Sequence, residues 1–172
     1  QDSQGAPGLP KASVHVRQLS IIRLKPSRTA LIGAFAAILI DQSTKVWARE
    51  VLSRPKHVLG PVWLRLVYNE GVSFSMGRHW PLLAQIVAFV LLVGVAVGMA
   101  RAAAGWSSVG FGLMLGGGAA NALDRLTSLP HHVTDFIAIG SFPVFNMADA
   151  CVTCGLGCIL LTLRSNRPLW RE

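Results

Sequence analysis

The sequence predicts a membrane α-helical protein: four transmembrane helices with a small extracytoplasmic β-sheet lying on the outer membrane face. Three observations predict it. Hydrophobic residues make up 52% of the 172 and charged residues only 14%, whereas soluble domains carry roughly 25% charge. Too few charges remain to give a globule a water-compatible surface. The apolar residues collect in four stretches, each near the roughly 20 residues a helix needs to cross a bilayer. The basic residues, finally, are divided unevenly between the segments that connect those stretches. The same composition excludes an intrinsically disordered chain. Three cysteines, all between 151 and 158, do not make a secreted disulfide framework.

Taken in order, residues 1–28 are expected to be a cytoplasmic N-terminal tail. Arg23, Lys25 and Arg28 ahead of an apolar run resemble a signal peptide, but Asp41 and Lys45 later in that run argue against cleavage. The first span covers about 29–48. Its Asp41 and Lys45 stand at i and i+4, on one helix face, where they can pair. Val62–Tyr68 is β-branched and aromatic and reads as a strand leading into a turn at Asn69–Phe74. The second span, 81–100, contains no charge. The third, 106–123, is rich in glycine and ends at Asp124–Arg125, a pair that could anchor it at the interface. The fourth, 147–163, follows Asn146, with Asp149 three residues on, a passable helix-capping arrangement. Gly94/Gly98 and Gly112/Gly116 are small-xxx-small pairs of the kind that let helices approach in lipid. Residues 166–172 are expected as a cytoplasmic C-terminal tail, leaving 29–165 as one membrane domain.

Four spans put both termini on one side. That side holds nine Lys and Arg against Asp2 and Glu172, while the other seven basic residues share their segments with six acids. By the positive-inside rule both termini are cytoplasmic. The formal charge of +8 therefore reflects cytoplasmic flanks beside apolar spans, and nucleic-acid binding is excluded as a function.

The acids carry the chemical signal, because an Asp at mid-membrane costs roughly 2.5–3.5 kcal/mol on insertion scales. Asp41, Asp124, Asp135 and Asp149 all fall at or beside the outer ends of helices, so topology gathers them at one membrane face. Pairing, anchoring and capping account for Asp41, Asp124 and Asp149; capping does not account for Asp135, in an otherwise apolar stretch. Two carboxylates brought close cannot both ionise easily, and one is pushed to hold a proton. One charged and one protonated carboxylate can activate a water and protonate a leaving amine. Spacing alone does not say which two meet.

Five short motifs, in order, carry a resemblance. Asp41-Gln42-Ser43-Thr44-Lys45 resembles the D-Q-x-S/T-K motif of lipoprotein signal peptidase (signal peptidase II). Asn69-Glu70-Gly71-Val72-Ser73-Phe74 resembles its N-x-G box, and Asn121-Ala122-Leu123-Asp124-Arg125 its G-N-x-x-D-R motif, with Ala120 in place of the glycine. Val133-Thr134-Asp135-Phe136 and Phe145-Asn146-Met147-Ala148-Asp149 are similar to the V-x-D-F/Y and F-N-x-A-D motifs. The resemblance covers about residues 28–165. It implies an intramembrane aspartyl endopeptidase of the bacterial cell membrane, multi-pass, with its active site toward the extracytoplasmic face. The implied substrate is a diacylglyceryl-modified prolipoprotein, cleaved just before the lipidated cysteine. By the resemblance the catalytic dyad is Asp135 and Asp149. Asp41, Lys45, Asn69, Gly71, Asn121, Asp124, Arg125, Asn146 and Ala148 shape and hydrogen-bond the site. Membrane lipid is the other expected partner, a monomer is expected, and no cofactor or metal is implied. The segment between the dyad aspartates is short, with a compact turn at Ile139–Pro143.

Two other readings compete. Cys151-x-x-Cys154 resembles the redox pair of four-helix membrane thiol oxidoreductases, but those need a second shuttle pair and only Cys158 remains. Cys151, Cys154 and Cys158 lie at i, i+3 and i+7, one helix face, where packing explains them. His131-His132 offers no HExxH zinc pattern. A non-enzymatic tetraspan assembly protein would explain the helices and leave the acids without a purpose.

Overall fold

The computed structural model describes residues 25–70, 81–129 and 131–171. The chain runs α1 (Arg28–Val51), β1 (Lys56–Leu59), β2 (Val62–Asn69), α2 (Pro81–Arg101), α3 (Trp106–Thr127), β3 (Val133–Ile139) and α4 (Met147–Arg164). The described residues thus form four helices and one three-stranded antiparallel sheet, ordered β1-β2-β3. The expected strand at Val62–Tyr68 is β2. The predicted turn at Asn69–Phe74, Gly71 included, lies beyond Glu70 outside the described residues.

Local chemistry sets the helix starts. Ser27 accepts a hydrogen bond from the Ala30 backbone N–H at 3.1 Å and opens α1. Asn146 opens α4 with a full capping box. Its side chain accepts from the Asp149 N–H at 3.0 Å, and the Asp149 carboxylate accepts from the Asn146 N–H at 3.2 Å. Two of the N–H groups that a helix leaves without partners are satisfied there.

Packing relies on small residues. A Cβ on Gly112 or Gly116 of α3 would run into the α1 backbone at Ala30 or Ala34, and one on Gly117 into the carbonyl of Ala148 in α4. Gly110 of α3 and Gly155 of α4 stand in the same relation to each other's carbonyls. Backbone-to-backbone approach of this kind is how helices associate where no hydrophobic effect separates lipid from leucine. The buried apolar residues of α1 are accordingly all alanines: Ala30, Ala34, Ala37 and Ala48. Large apolar side chains point outward instead. Ile32 and Phe35 of α1, Phe89 of α2 and Leu161 of α4 are 57–68% exposed, which suits a lipid surround and not water. Among the described residues, α1 and α4 are long and apolar enough to cross a bilayer, and α2 has a shorter apolar run over Gln85–Arg101.

The sheet sits at the end of the bundle where α1 and α3 finish and α4 begins. β2 pairs with β3 so that Val67 faces Asp135 and Asn69 faces Val133, with a register shift between Leu64 and Val67. Phe136, Ala48 and Leu52 form a small core beneath it, and Ile137 bridges to Phe145 just ahead of α4. The sheet thereby fixes the path of β3 across the helix ends. At the opposite end the C-terminal segment is bonded to the α2–α3 turn: the Ala103 N–H donates to Leu169 O at 2.8 Å and the Arg171 N–H to Arg101 O at 2.9 Å.

Candidate active site

Four elements and the cap of a fifth converge under the sheet. From α1 come Asp41, Gln42 and Lys45; from α3, Asn121, Asp124 and Arg125. β2 contributes Asn69 at its last position, β3 contributes Asp135, and the start of α4 contributes Asn146, Ala148 and Asp149. Every expected site residue among those described lies here. Gly71 lies outside the described residues.

Lys45 organises the helix side of the site. Its ammonium is fully buried and has three donors, and it meets three acceptors: Asp41 at 2.6 Å, Asp124 at 3.0 Å and the Asn121 side-chain oxygen at 2.9 Å. The expected intrahelical pair therefore exists, and it is one arm of a larger cluster joining α1 to α3. The remaining carboxylate oxygens are also occupied. Asp41 accepts from the Ala148 N–H at 2.8 Å, satisfying an amide at the start of α4. Asp124 accepts from Gln42 at 3.0 Å and from the Thr134 N–H at 3.0 Å. Asp124 thus holds the strand residue immediately before Asp135.

Asparagines join the acids. The Asn146 amide donates to Asp135 at 2.6 Å and to the Asn121 oxygen at 3.1 Å. Asn121 donates in turn to Asp149 at 2.9 Å. Asn69 donates to the other oxygen of Asp135 at 3.0 Å. Since Asn146 also bonds Asp149 through its backbone N–H and its side-chain oxygen, one residue touches both carboxylates. Arg125 lies within electrostatic reach of Asp135, Asp149 and Asp124. Among the described residues no buried side-chain nitrogen or oxygen lacks a partner. A buried polar network of this size is tolerable in a low-dielectric setting only when satisfied in this way.

Asp135 is 2% exposed. Burial raises its carboxyl to about 6; the Asn69 hydrogen bond pulls against the rise, and the nearby charge of Asp149 adds to it. Asp149 lies in the first turn of α4, inside the capping box made with Asn146.

Three participants fall outside the expected set. Gln42 also reaches the Ala120 carbonyl at 3.3 Å. Thr134 anchors Asp124 through its N–H, and its hydroxyl accepts from Arg49 at 3.0 Å. Arg49 and Lys45 are one turn apart, which is the signal that could have found Arg49; Thr134 is flagged only by preceding Asp135. Ala120, the departure from the glycine of the motif, is fully buried, and its methyl is accommodated. The two histidines serve the α3–β3 turn: the His131 ring nitrogen bonds Arg125 O at 2.7 Å, and the His132 ring packs on Tyr68 at 4.5 Å. Cys151, Cys154 and Cys158 are free thiols on α4, with Cys154 exposed.

Comparison with known proteins bears on this geometry. A family model described as Signal peptidase (SPase) II matches residues 33–164. A lipoprotein signal peptidase of Rhodococcus jostii is 36% identical over 155 residues, covering 82% of this chain and 76% of the relative. One of Gloeobacter violaceus is 38% identical over 144 residues, covering 78% and 81%. One of Mycobacterium tuberculosis is 33% identical over 171 residues, covering 95% and 80%. Two solved structures, each of a bacterial membrane enzyme, share the fold. They give TM-scores of 0.72 and 0.69 at 22% and 23% identity, each over 83% of this chain and over 92% and 97% of theirs.

Proposed function

The chain belongs to the signal peptidase (SPase) II family of aspartic endopeptidases, and from that membership we propose that it removes signal peptides from diacylglyceryl-modified bacterial prolipoproteins, just before the lipidated cysteine. The observation that carries the reading is the single asparagine, Asn146, bonded to both Asp135 and Asp149 in a buried network at the sheet-bearing end. In this reading all four helices cross the cell membrane and both termini are cytoplasmic. The sheet then lies on the extracytoplasmic face.

Asp135 and Asp149 are the dyad. Asp149, ionised at the start of α4, takes a proton from a water as that water attacks the scissile carbonyl. Asp135, the acid with the raised carboxyl, donates a hydrogen bond to the carbonyl oxygen as it becomes an oxyanion. The proton held by Asp149 then passes to the leaving amine of the lipidated cysteine. Arg125 balances charge beside both acids. Asn69 and Asn146 orient Asp135, Asn121 orients Asp149, and the Asp41–Lys45–Asp124 cluster holds α1, α3 and β3 in register. Ala148 gives its N–H to Asp41 and so ties the start of α4 to α1.

The test is incubation of the purified protein in detergent with a diacylglyceryl-modified prolipoprotein and with its unlipidated form. Loss of the signal peptide from the lipidated form alone is the expected result. Equal cleavage of both forms would overturn the substrate reading, and cleavage by Asp135→Asn at the wild-type rate would overturn the dyad.

A further inference from the structure

The end of the bundle away from the sheet has a second concavity that the proteolytic reading does not use. It is a groove of about 220 Å³ lined by Gly94, Val97 and Gly98 of α2, Phe111 of α3, Arg101 and Trp170. Two glycines open it. Gly98 is buried against the Phe111 ring, while Gly94 has open space where a side chain would stand. The walls are largely apolar and the mouth is not. Arg101 is exposed, and among the described residues its guanidinium has no carboxylate partner. Arg171 is fixed beside it, its guanidinium donating to Ala102 O at 2.8 Å and Lys25 O at 2.7 Å. The Trp170 ring stands 5.3 Å from Phe111 and remains 47% exposed. Lys25, Arg28, Arg164 and Arg167 belong to the same end, and among the described residues no acid does.

We propose that this groove binds an anionic phospholipid of the leaflet opposite the sheet, with an acyl chain along Gly94 and Gly98 and its phosphate on Arg101 beside Arg171. The charge complementarity chooses the occupant. An apolar slot at membrane depth that ends in cations and an interfacial tryptophan matches a lipid with a negative headgroup. A second helix in the groove would bury the Arg101 charge without a counter-charge. The site is remote from Asp135 and Asp149, and it would hold α2, which leans on α3 there, against the rest of the bundle.

The experiment uses the full chain in detergent, with thermal melts and native mass spectrometry. The added probes are phosphatidylglycerol, phosphatidylcholine or inorganic phosphate. Phosphatidylglycerol should raise the melting temperature by about 5 °C near saturation and remain bound one per chain. Phosphatidylcholine should raise it by less than half as much, and inorganic phosphate should leave it unchanged. Arg101→Gln should abolish the preference for phosphatidylglycerol, and Arg101→Lys should keep part of it. A Cβ at Gly94 would meet nothing within 4 Å, so Gly94→Leu should fill the slot and remove stabilisation by both lipids although Arg101 remains. All three variants should cleave substrate in detergent at the wild-type rate, so failure here is distinct from failure of the protease reading. Full phosphatidylglycerol stabilisation in both Arg101→Gln and Gly94→Leu would overturn the proposal. So would an equal effect of inorganic phosphate, or a dimer that Gly94→Leu dissociates.

Discussion

The two halves of α3 solve different problems with the same helix. Its first half presents Gly110, Gly112, Gly116 and Gly117, which bring the backbones of α1 and α4 into direct contact. Its second half presents Asn121, Asp124 and Arg125, whose polar atoms reach α1, β3 and α4. The first half has no chemistry and the second has little apolar packing. The difference teaches where positional accuracy in the site originates. Short side chains such as Asn and Asp can bond across helices only if the helices are already close, and the glycines supply that closeness. Polar precision at one end therefore rests on steric simplicity at the other.

Substitutions can separate the two contributions. The largest effect is expected in the polar half. Asp135→Asn and Asp149→Asn should each lower turnover by about a thousand-fold or more, and the double variant should be little worse than either single, because the two act as a unit. Thermal melts should show each of these variants folded. Asp124→Asn should lose less rate and more stability, since it holds the Thr134 N–H and not the reacting groups. An inactive Asp124→Asn beside an active Asp135→Asn would make Asp124 and Asp149 the pair.

Lys45→Met should be the most destabilising change, by about 3–5 kcal/mol in chemical denaturation, because it leaves two buried carboxylates facing each other without their cation. Adding Asp124→Asn to Lys45→Met should restore part of that loss. In the glycine half, Gly116→Val should cost about 1–3 kcal/mol by forcing α1 from α3. Its rate should fall with it, although no polar group is touched. Unchanged turnover in a destabilised Gly116→Val would break the link between the halves.

A further effect concerns pH. The Asp135 carboxyl is raised in the fold to about 6 from an ordinary 3.8, so the folded state binds the proton more tightly than the unfolded chain. Its contribution is fully favourable below about 3.8 and is lost as pH rises through about 6. Melting temperature should therefore decline across that window relative to Asp135→Asn, whose profile should lack this component. A wild-type profile that runs parallel to that of Asp135→Asn would show that the proton is held elsewhere.

Much of this was legible in the sequence, and the reasons differ by element. The four helices were visible as apolar stretches, and the α4 start from Asn146 and Asp149, because capping is a local matter. β2 was visible because Val62–Tyr68 is β-branched and aromatic. In β3, Val133, Thr134, Asp135 and Phe136 are all buried, so no alternation marks it. β1 is exposed along its whole length and hides for the opposite reason. In the site, Asp41 and Lys45 could be paired from their spacing, but nothing local could reveal that Lys45 also reaches Asn121 and Asp124 on another helix. The proposed pairing of Asp135 with Asp149 rests on the family resemblance that the motifs carry, since spacing alone leaves open which two acids meet. The attachment of Trp170 and Arg171 to the α2–α3 turn had no sequence signal, since two main-chain hydrogen bonds leave no compositional trace.

Asn146 has a consequence for how such a chain can change over generations. Its side-chain oxygen caps α4 while its amide nitrogen holds Asp135 and Asn121. Aspartate at 146 would keep the cap and put a third negative charge against the dyad; serine would keep the cap and be too short for Asp135; glutamine would carry the amide but move it off the cap. No single-step replacement preserves both duties, so drift at this position has no neutral route. A compensating second substitution cannot rescue one duty without addressing the other, and lineages should remain fixed at Asn146 even where the surrounding helix faces diversify freely.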